Sequence, residues 1–204
     1  MRLTAKPPDR PGVFLSVLRG CPRKAHKPRT APHLQHLVRA SAPGQVWAID
    51  FQFDSDWKGR VLKVCIVVDE FTRQHLALRV ERRMGAVDVI EMRDLAALAC
   101  GAPQVLRADN GPEFIAAAVG RWASEHDTFQ AFIPPGQPWL GGFVESLHNR
   151  MRDELLEDNM FEDLDHARAL IGAWSRRYNE EYPHSALGWL SPNQYAHQWA
   201  QHHQ

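Results

Sequence analysis

The apolar run Val61–Val68, interrupted only by Lys63, constrains the fold more than any other stretch of the chain. A run of this length predicts a strand in the middle of a sheet, covered on both faces. Before it, Trp47–Phe53 alternates and predicts a strand with Trp47, Ile49, Phe51 and Phe53 on one face and Ala48 and Asp50 on the other. After it, His75–Val80 predicts a third strand. The three strands fit an antiparallel meander.

The next part of the chain changes to a helical period. Residues 86–99 predict a helix that buries one apolar face, formed by Val87, Ile90, Leu95 and Leu98. Val105–Ala108 predicts a fourth strand. Pro112 suits the start of one further helix, with Phe114, Ala118 and Trp122 turned inward. Residues 128–133 predict a fifth strand. This order of elements predicts an α/β protein with a mixed five-stranded sheet flanked by helices.

A loop and three helical segments follow. Three prolines and three glycines within residues 134–142 predict a mobile loop. The helix after it has an apolar stripe of Val144, Leu147, Met151 and Leu155, and an adjoining polar side of Glu145, His148, Asn149 and Arg152. A second helix is predicted over residues 163–178, with Leu164, Ala167, Ile171, Trp174 and Tyr178 as its inner face. A short segment from Pro192 to Trp199 closes the chain.

The charge is distributed unevenly although it sums to zero. Residues 1–40 contain nine Lys or Arg and one acid, for a net charge of +8, and the remainder carries −8. Residues 1–44 are rich in proline and predict an irregular basic arm, in which Val13–Leu15 and Val17-Leu18 fit a short turn of helix, in front of a core over residues 45–204. The arm points to a polyanionic partner, bound through Arg23, Lys24, Lys27 and Arg29, or else is a solvated tail.

The composition excludes several other classes of protein. No stretch of about 18 apolar residues is present, so no transmembrane segment is predicted. The amino terminus has no apolar core followed by a small-residue cleavage site, so we expect no secretory signal. Three cysteines, Cys21, Cys65 and Cys100, are odd in number and far apart, which argues against a disulfide framework. These features favour the cytoplasm.

Three carboxylates stand at places where chemistry is expected. Asp50 lies in the first core strand, Asp109 follows the fourth, and Glu145 comes after a further 35 residues. A carboxylate at a core strand is costly to desolvate alone, and a hard cation such as Mg²⁺ or Mn²⁺ offsets that cost. The alternatives are structural: a turn at Asp109, a helix-dipole acid at Glu145 and a strand-end cap at Asp50. Asp69, which also ends a core strand, rivals Asp50.

Five motifs occur in order and carry a resemblance. They are Trp47-Ala-Ile-Asp-Phe, Val67-Val-Asp-Glu-Phe-Thr-Arg73, Asp109-Asn-Gly-Pro-Glu-Phe, Gly142-Phe-Val-Glu-Ser-Leu-His-Asn and Tyr178-Asn-Glu-Glu-Tyr-Pro-His-Ser-Ala-Leu187. With the 35-residue gap, they resemble the catalytic core of bacterial insertion-sequence transposases of the DDE group. That group is related to retroviral integrases and has a ribonuclease H-like fold. The likeness covers roughly residues 40–200.

The resemblance implies a function. Asp50, Asp109 and Glu145 would be catalytic and bind divalent cations, two Mg²⁺ or Mn²⁺ ions. Arg152, His148 and Asn149 would contact DNA near the scissile phosphate, although Arg152 also fits a surface ion pair. The implied reaction is phosphodiester hydrolysis followed by DNA strand transfer, with the chain acting as a homo-oligomer on DNA. Arg73, Asn110 and His184 lie in the motifs, and we expect turn and packing roles for them.

Two departures from the family pattern matter. Gly141 stands where relatives usually have Asn, and a basic arm precedes the core where relatives carry helix-turn-helix segments. A severed core would retain cutting chemistry but lose recognition of specific DNA ends, because phosphate contacts carry no sequence information. The alternative function is therefore a truncated or inactive transposase that only binds DNA or oligomerises.

Overall fold

The computed structural model describes residues 13–15, 39–109, 111–115, 117–133 and 142–203. Its strands are β1 (Val13–Leu15), β2 (Val46–Ser55), β3 (Val61–Asp69), β4 (His75–Glu81), β5 (Val105–Ala108) and β6 (Phe129–Phe132). Its α-helices are α1 (Ala86–Cys100), α2 (Pro112–Ile115), α3 (Ala117–Glu125), α4 (Gly142–Met151), α5 (Leu164–Glu180) and α6 (Pro192–His202). A π-helical segment, Arg152–Leu156, continues α4, and a 3₁₀ turn, Ser185–Leu187, precedes α6.

The strands form one mixed sheet in the order β1-β4-β3-β2-β5-β6. The predicted meander is confirmed, since β2, β3 and β4 pair antiparallel, while β5 lies parallel to both β2 and β6. The five predicted strands are all present. The helical turn predicted around Val13–Leu15 is wrong: these residues form β1, which extends the sheet antiparallel to β4. Three residues are too few to form a stable helix on their own. The edge of β4 offers them backbone hydrogen bonds instead.

One face of the sheet packs against α1 and α3. Trp47, Ile49 and Leu106 are buried there with Val89 and Met92 of α1. The predicted inner face of α1 is wrong, because two of its members, Val87 and Leu98, are 68% and 70% exposed. Helix α1 has apolar residues on several sides, so the sequence period alone could not identify which side packs against the sheet. The buried stripe is Val89, Met92, Arg93, Ala96 and Cys100.

The other face packs against α4 and α5. Leu62, Val64, Ile66 and Leu78 of the sheet meet both helices. Leu147, Met151 and Leu155 are buried, as predicted, and so are Ala167, Ile171, Trp174 and Tyr178, with Leu164 partly buried. Asp163 caps α5 by accepting a hydrogen bond from the His166 amide at 2.8 Å. The sequence periods of the helices on this face therefore gave the correct packing.

The remaining predictions have mixed outcomes. The single helix predicted from Pro112 is two helices, α2 and α3, although Phe114 and Trp122 are buried as predicted. Cys65 is a buried free thiol, whereas Cys100 is disulfide-bonded, a bond that the argument against a disulfide framework did not anticipate. Every helix among the described residues is too short or too polar to span a bilayer. Residues 134–141 of the predicted loop, including Gly141, lie outside the described residues, and Gly142 begins α4.

Candidate active site

The parallel pairing of β2 with β5 brings two of the three predicted acids level with each other. Ala48 pairs with Arg107 in this ladder. Asp50 and Asp109 each lie two residues further along, so they occupy equivalent positions at the end of the β2–β5 pairing. Neighbouring strands are about 4.8 Å apart, and the negative charge of Asp109 raises the pKa of Asp50. The fold therefore places two carboxylates together.

Asp50 is the more protected of the two. Its side chain is 34% exposed, and its Oδ1 accepts a hydrogen bond from the Phe51 amide at 2.8 Å. Burial raises the pKa of Asp50 to about 6, with a smaller contribution from the charge of Asp109 and an opposing one from the Phe51 hydrogen bond. Desolvation and a like charge both disfavour the ionised form. A cation between the two acids would reverse both effects.

The turn after β5 orients Asp109. Its Oδ1 accepts a hydrogen bond from the Gly111 amide at 2.9 Å. A Cβ on Gly111 would lie 3.0 Å from that oxygen and 3.4 Å from Oε2 of Glu113. The close approach explains why glycine suits this position. The Asn110 of the motif lies outside the described residues.

Glu113 is a fourth carboxylate near the site, and the sequence analysis missed its partner. Lys63 of β3 donates a short hydrogen bond to Glu113 Oε1, and its ammonium lies 3.8 Å from the ring centroid of Phe51. This hydrogen bond holds the pKa of Glu113 below its usual value. The lysine that interrupts the apolar run was the available signal: a cation in a central strand requires a partner. Glu113 is thereby neutralised by an ion pair beside Asp109.

Helix α4 lies against β2 next to Asp50. Gln52 Nε2 donates to the backbone oxygen of His148 at 3.4 Å, and His148 Nδ1 lies 3.7 Å from Asp50 Oδ2. Burial, helped by the positive charge of Arg152, lowers the pKa of His148 to about 4. The ring is therefore neutral near pH 7, and its contact with Asp50 is not an ion pair.

The third predicted acid lies in the same helix. Glu145 is three residues, or about one turn, before His148, and its side chain lies outside the described residues. Arg152 and Asn149 are exposed. Arg150 makes an i,i+4 ion pair with Glu154 at 2.9 Å.

Asp69, the rival of Asp50, has a structural position. It is 2% exposed, and its carboxylate accepts hydrogen bonds from three amides and one hydroxyl. The donors are the amides of Gly44, Phe71 and Thr72 and the Thr72 hydroxyl. Asp69 pairs with Trp47, three residues along β2 from Asp50. Its acceptor capacity is used in closing the β3–β4 turn.

The donor chemistry fits a hard divalent cation. Asp50 and Asp109 offer carboxylate oxygens, which Mg²⁺ and Mn²⁺ prefer. Within the described residues no group of three or more His, Cys, Asp or Glu is arranged to hold a metal, and the Glu145 side chain is not part of that set. The predicted DNA contacts Arg23, Lys24, Lys27 and Arg29 also lie outside the described residues.

Solved structures share this fold. The catalytic core domain of HTLV-2 integrase, solved in complex with magnesium, matches with a TM-score of 0.59, 17% identity, 78% of this chain and 100% of that chain. A chain of the simian T-cell lymphotropic virus intasome, solved with the PP2A regulatory subunit B56 gamma, matches with a TM-score of 0.64, 18% identity, 90% of this chain and 61% of that chain. The fold is that of retroviral integrase catalytic cores, which is ribonuclease H-like, as predicted.

Sequence comparison identifies the family. Two family models, both described as integrase core domain, match residues 40–138 and 126–192. A 31.7 kDa protein of insertion element IS407 from Burkholderia multivorans is 38% identical over 79% of this chain and 58% of its own length. A 39.2 kDa protein of IS476 from Xanthomonas euvesicatoria is 37% identical over 85% of this chain and 50% of its own length. The chain belongs to the integrase core domain family, of the bacterial insertion-element type, and spans little more than half the length of these relatives.

Proposed function

We propose that this chain is a transposase catalytic core that hydrolyses a phosphodiester in DNA and then joins the freed 3′-hydroxyl to a second DNA. The observation that carries the proposal is the level placement of Asp50 and Asp109 on neighbouring parallel strands of an integrase core fold. In support, the transposase of IS904 from Lactococcus lactis is 24% identical over 79% of this chain.

The residues have separate roles in the proposed reaction. Asp50 and Asp109, with Glu145 from α4, would hold divalent cations. A pair of such ions, when bound, activates an attacking oxygen and stabilises a leaving oxygen at one phosphorus. His148 lies beside Asp50 as a neutral ring, so it adds no positive charge there. Exposed Arg152 and Asn149, together with the basic residues of the arm, would bind DNA phosphates. DNA-bound multimers are part of this proposal.

The test is nicking of a labelled DNA duplex with Mg²⁺ or Mn²⁺. Asp109→Asn removes one charged ligand with little change of shape, and we expect cleavage to fall by two orders of magnitude or more, as when a preorganised electrostatic group is lost. Asp158→Asn is the matched control, because Asp158 is exposed and remote in sequence from the site motifs. Cleavage by Asp109→Asn at the rate of the control would overturn the site assignment.

A second pair of variants tests the third acid. Glu145→Gln should abolish metal-dependent nicking, whereas Glu157→Gln, at an exposed position after the π-helical segment, should not. If the wild-type chain binds DNA in a salt-sensitive way but does not cut it with either metal, the chain is a non-catalytic binding module and the proposal fails.

A further inference from the structure

A cavity of about 420 Å³ lies on the α4 and α5 side of the molecule, apart from the acids described above. Its walls come from four places: the β3–β4 turn, α4, α5 and the loop before α6. The lining residues include two arginines, two serines, a histidine and a tryptophan: Arg73, Arg150, Ser146, Ser185, His184 and Trp189. The ten described residues that line it include no aspartate or glutamate. A pocket of this size suits a small molecule or one unit of a polymer.

The polar groups of the cavity carry positive potential. Arg73 and Arg150 both line it, and Arg73 Nη1 donates to the Glu70 backbone oxygen at 2.6 Å. Arg150 uses its Nε for Glu154 at 2.9 Å, while its two terminal amino groups make no hydrogen bond with a described residue. Burial, with smaller contributions from the positive charges of Arg150 and Arg73, lowers the pKa of His184 to about 4. The two arginine charges that disfavour protonation of His184 also favour an anion in the cavity.

The His184 ring is a neutral donor or acceptor that the protein leaves unused. Its Nε2 is buried and has no hydrogen-bond partner among the described residues. The hydroxyls of Ser146 and Ser185 are nearby in the same walls. Phosphate oxygens accept hydrogen bonds from groups of all these kinds: guanidinium, imidazole and hydroxyl. The donor set is therefore suited to a phosphodiester.

The walls are held in a strained and rigid form. Arg73 and Trp189 have φ angles of 65° and 67°, in the left-handed region that favours glycine. Together with Asp127 they are the three non-glycine residues with positive φ in the described part of the chain. The loop that holds Trp189 is closed on itself, because the Trp189 amide donates to the His184 oxygen at 2.9 Å and the His184 amide to the Leu190 oxygen at 3.1 Å. Strain of this kind persists where a site is preorganised.

An exposed aromatic side chain is among the residues that line the cavity. The Trp189 side chain is 72% exposed, although a large apolar ring gains by burial. Indole rings beside arginines are the usual platform on which unpaired bases stack. A base within a duplex has both faces covered by its neighbours, so such a platform suits a base that has left the stack.

The cavity also has a defined relation to the acids. At 100° per residue, Ser146 and Arg150 lie on the side of α4 opposite to His148, which contacts Asp50. The width of one helix separates the two sides, about 10 Å, or roughly three nucleotide steps along a strand. A strand at the acids reaches the cavity by crossing α4.

We propose that this cavity, the Arg150–Trp189 pocket, binds one unpaired nucleotide of a DNA strand, its phosphate at Arg150, Arg73 and His184 and its base on Trp189. This inference rests on the proposed function: the pocket would hold the strand a few nucleotides from the site of cleavage. The pocket would thereby stabilise frayed DNA ends in preference to intact duplex.

The experiment is binding of a labelled oligothymidylate to the full chain, followed by fluorescence anisotropy over a series of salt concentrations. Arg150→Gln should weaken binding and reduce the slope of log K against log salt by about 0.7, the value for one phosphate contact to a single strand. Arg150→Lys should restore the slope. Trp189→Asn should weaken binding about tenfold without changing the slope, since a stacked base contributes about that much and releases no counterion. Asn tolerates the left-handed conformation.

Two matched controls separate the pocket from general effects. Arg121→Gln removes an exposed arginine from α3, on the other face of the sheet, and Trp57→Asn removes an indole that is 59% exposed. Both should bind as the wild type does. Equal effects of Arg150→Gln and Arg121→Gln, or of Trp189→Asn and Trp57→Asn, would overturn the proposal. So would displacement of the oligothymidylate by polyglutamate at equal charge, which would show an acidic-peptide site.

The same variants distinguish this proposal from the proposed function. Loss of nicking in Asp109→Asn with unchanged binding by the pocket variants would leave the catalytic proposal intact and remove the pocket. Weak binding by the pocket variants, with nicking that does not depend on Asp109, would do the opposite.

Discussion

Buried polar side chains on the two faces of the sheet differ in their hydrogen-bond partners. On the α4–α5 face, His75 of β4 forms hydrogen bonds with Ser175 and Asn179 of α5. On the α1–α3 face, Arg93 is fully buried, and its guanidinium nitrogens make no hydrogen bond with the described residues. The difference shows that Arg93 is buried without the hydrogen bonds that the polar side chains between β4 and α5 make.

The fastening on the α4–α5 face is centred on His75. The Asn179 side chain accepts a hydrogen bond from the His75 amide and donates one to the His75 oxygen, both at 2.9 Å. His75 Nδ1 lies 2.9 Å from the Ser175 hydroxyl, and its ring stacks on Tyr178 at 4.0 Å. The β3–β4 register shifts between Val67 and Val68, beside this point. Asn179 therefore satisfies backbone groups where the ladder is irregular.

The α1–α3 face contains two arginines with different surroundings. Arg79 lies 2.8 Å from Asp88, 3.1 Å from Glu91 and 3.6 Å from Glu81. Arg93 has no carboxylate of this kind, and its Cζ lies 5.6 Å from the Trp122 ring centroid. Burial lowers the pKa of Arg93 to about 10, so it remains charged at neutral pH. A charge buried in this way is a cost to the folded state.

Asn179→Ala should be the most damaging change. It leaves two buried backbone groups of His75 without partners, and each such group costs about 1–3 kcal/mol, so we expect a loss of roughly 2–4 kcal/mol in the free energy of unfolding. Urea denaturation measures this. Asn149→Ala, at an exposed position of α4, should change stability by less than about 0.5 kcal/mol. A loss no larger than that of the control would mean that the Asn179 hydrogen bonds do not stabilise the packing of α5 on β4.

Arg93→Met should act in the opposite direction. Replacing the unpaired guanidinium by an apolar chain of similar length should raise the free energy of unfolding by about 1–3 kcal/mol. Arg79→Met, on the same face, should lower it, because Asp88 and Glu91 would lose their cation. Thermal unfolding of both variants is the measurement, and a destabilised Arg93→Met would show that the guanidinium has a stabilising partner.

Leu98→Gln should have the smallest effect. Leu98 is 70% exposed, so its replacement should change stability by less than about 0.5 kcal/mol. Met92→Gln, on the buried stripe of the same helix, should be strongly destabilising because it buries an amide without a partner. Similar losses for the two variants in urea denaturation would show that both sides of α1 are covered.

Sequence periodicity predicted the strands and the α4–α5 face because these segments have one apolar stripe each. It failed for α1, where Val87 and Leu98 compete with Val89, Met92 and Ala96. Only the sheet decides between the two stripes, and it accepts the one that carries Arg93. No local pattern indicates that an arginine will be buried, since arginine is among the residues least often found inside.

The candidate site was partly accessible from sequence for a similar reason. Asp50 and Asp109 terminate recognisable apolar segments, so their proximity follows once the strand order is known. The Arg150–Trp189 pocket was not accessible. Its walls are far apart along the chain, and Arg73 and His184 were assigned only turn and packing roles. Their convergence depends on how the β3–β4 turn meets α4, which is a property of tertiary packing.

The strand order has a consequence for biosynthesis. Asp50 belongs to the antiparallel meander of β2, β3 and β4, whose contacts are close in sequence and form early. Asp109 follows β5, which joins β2 only after the long crossover through α1, and such parallel pairing is slow. We therefore expect a chain still emerging from the ribosome to possess one acid of the pair and not the other. Under the proposed function, the site that cuts DNA is incomplete until β5 has joined the sheet.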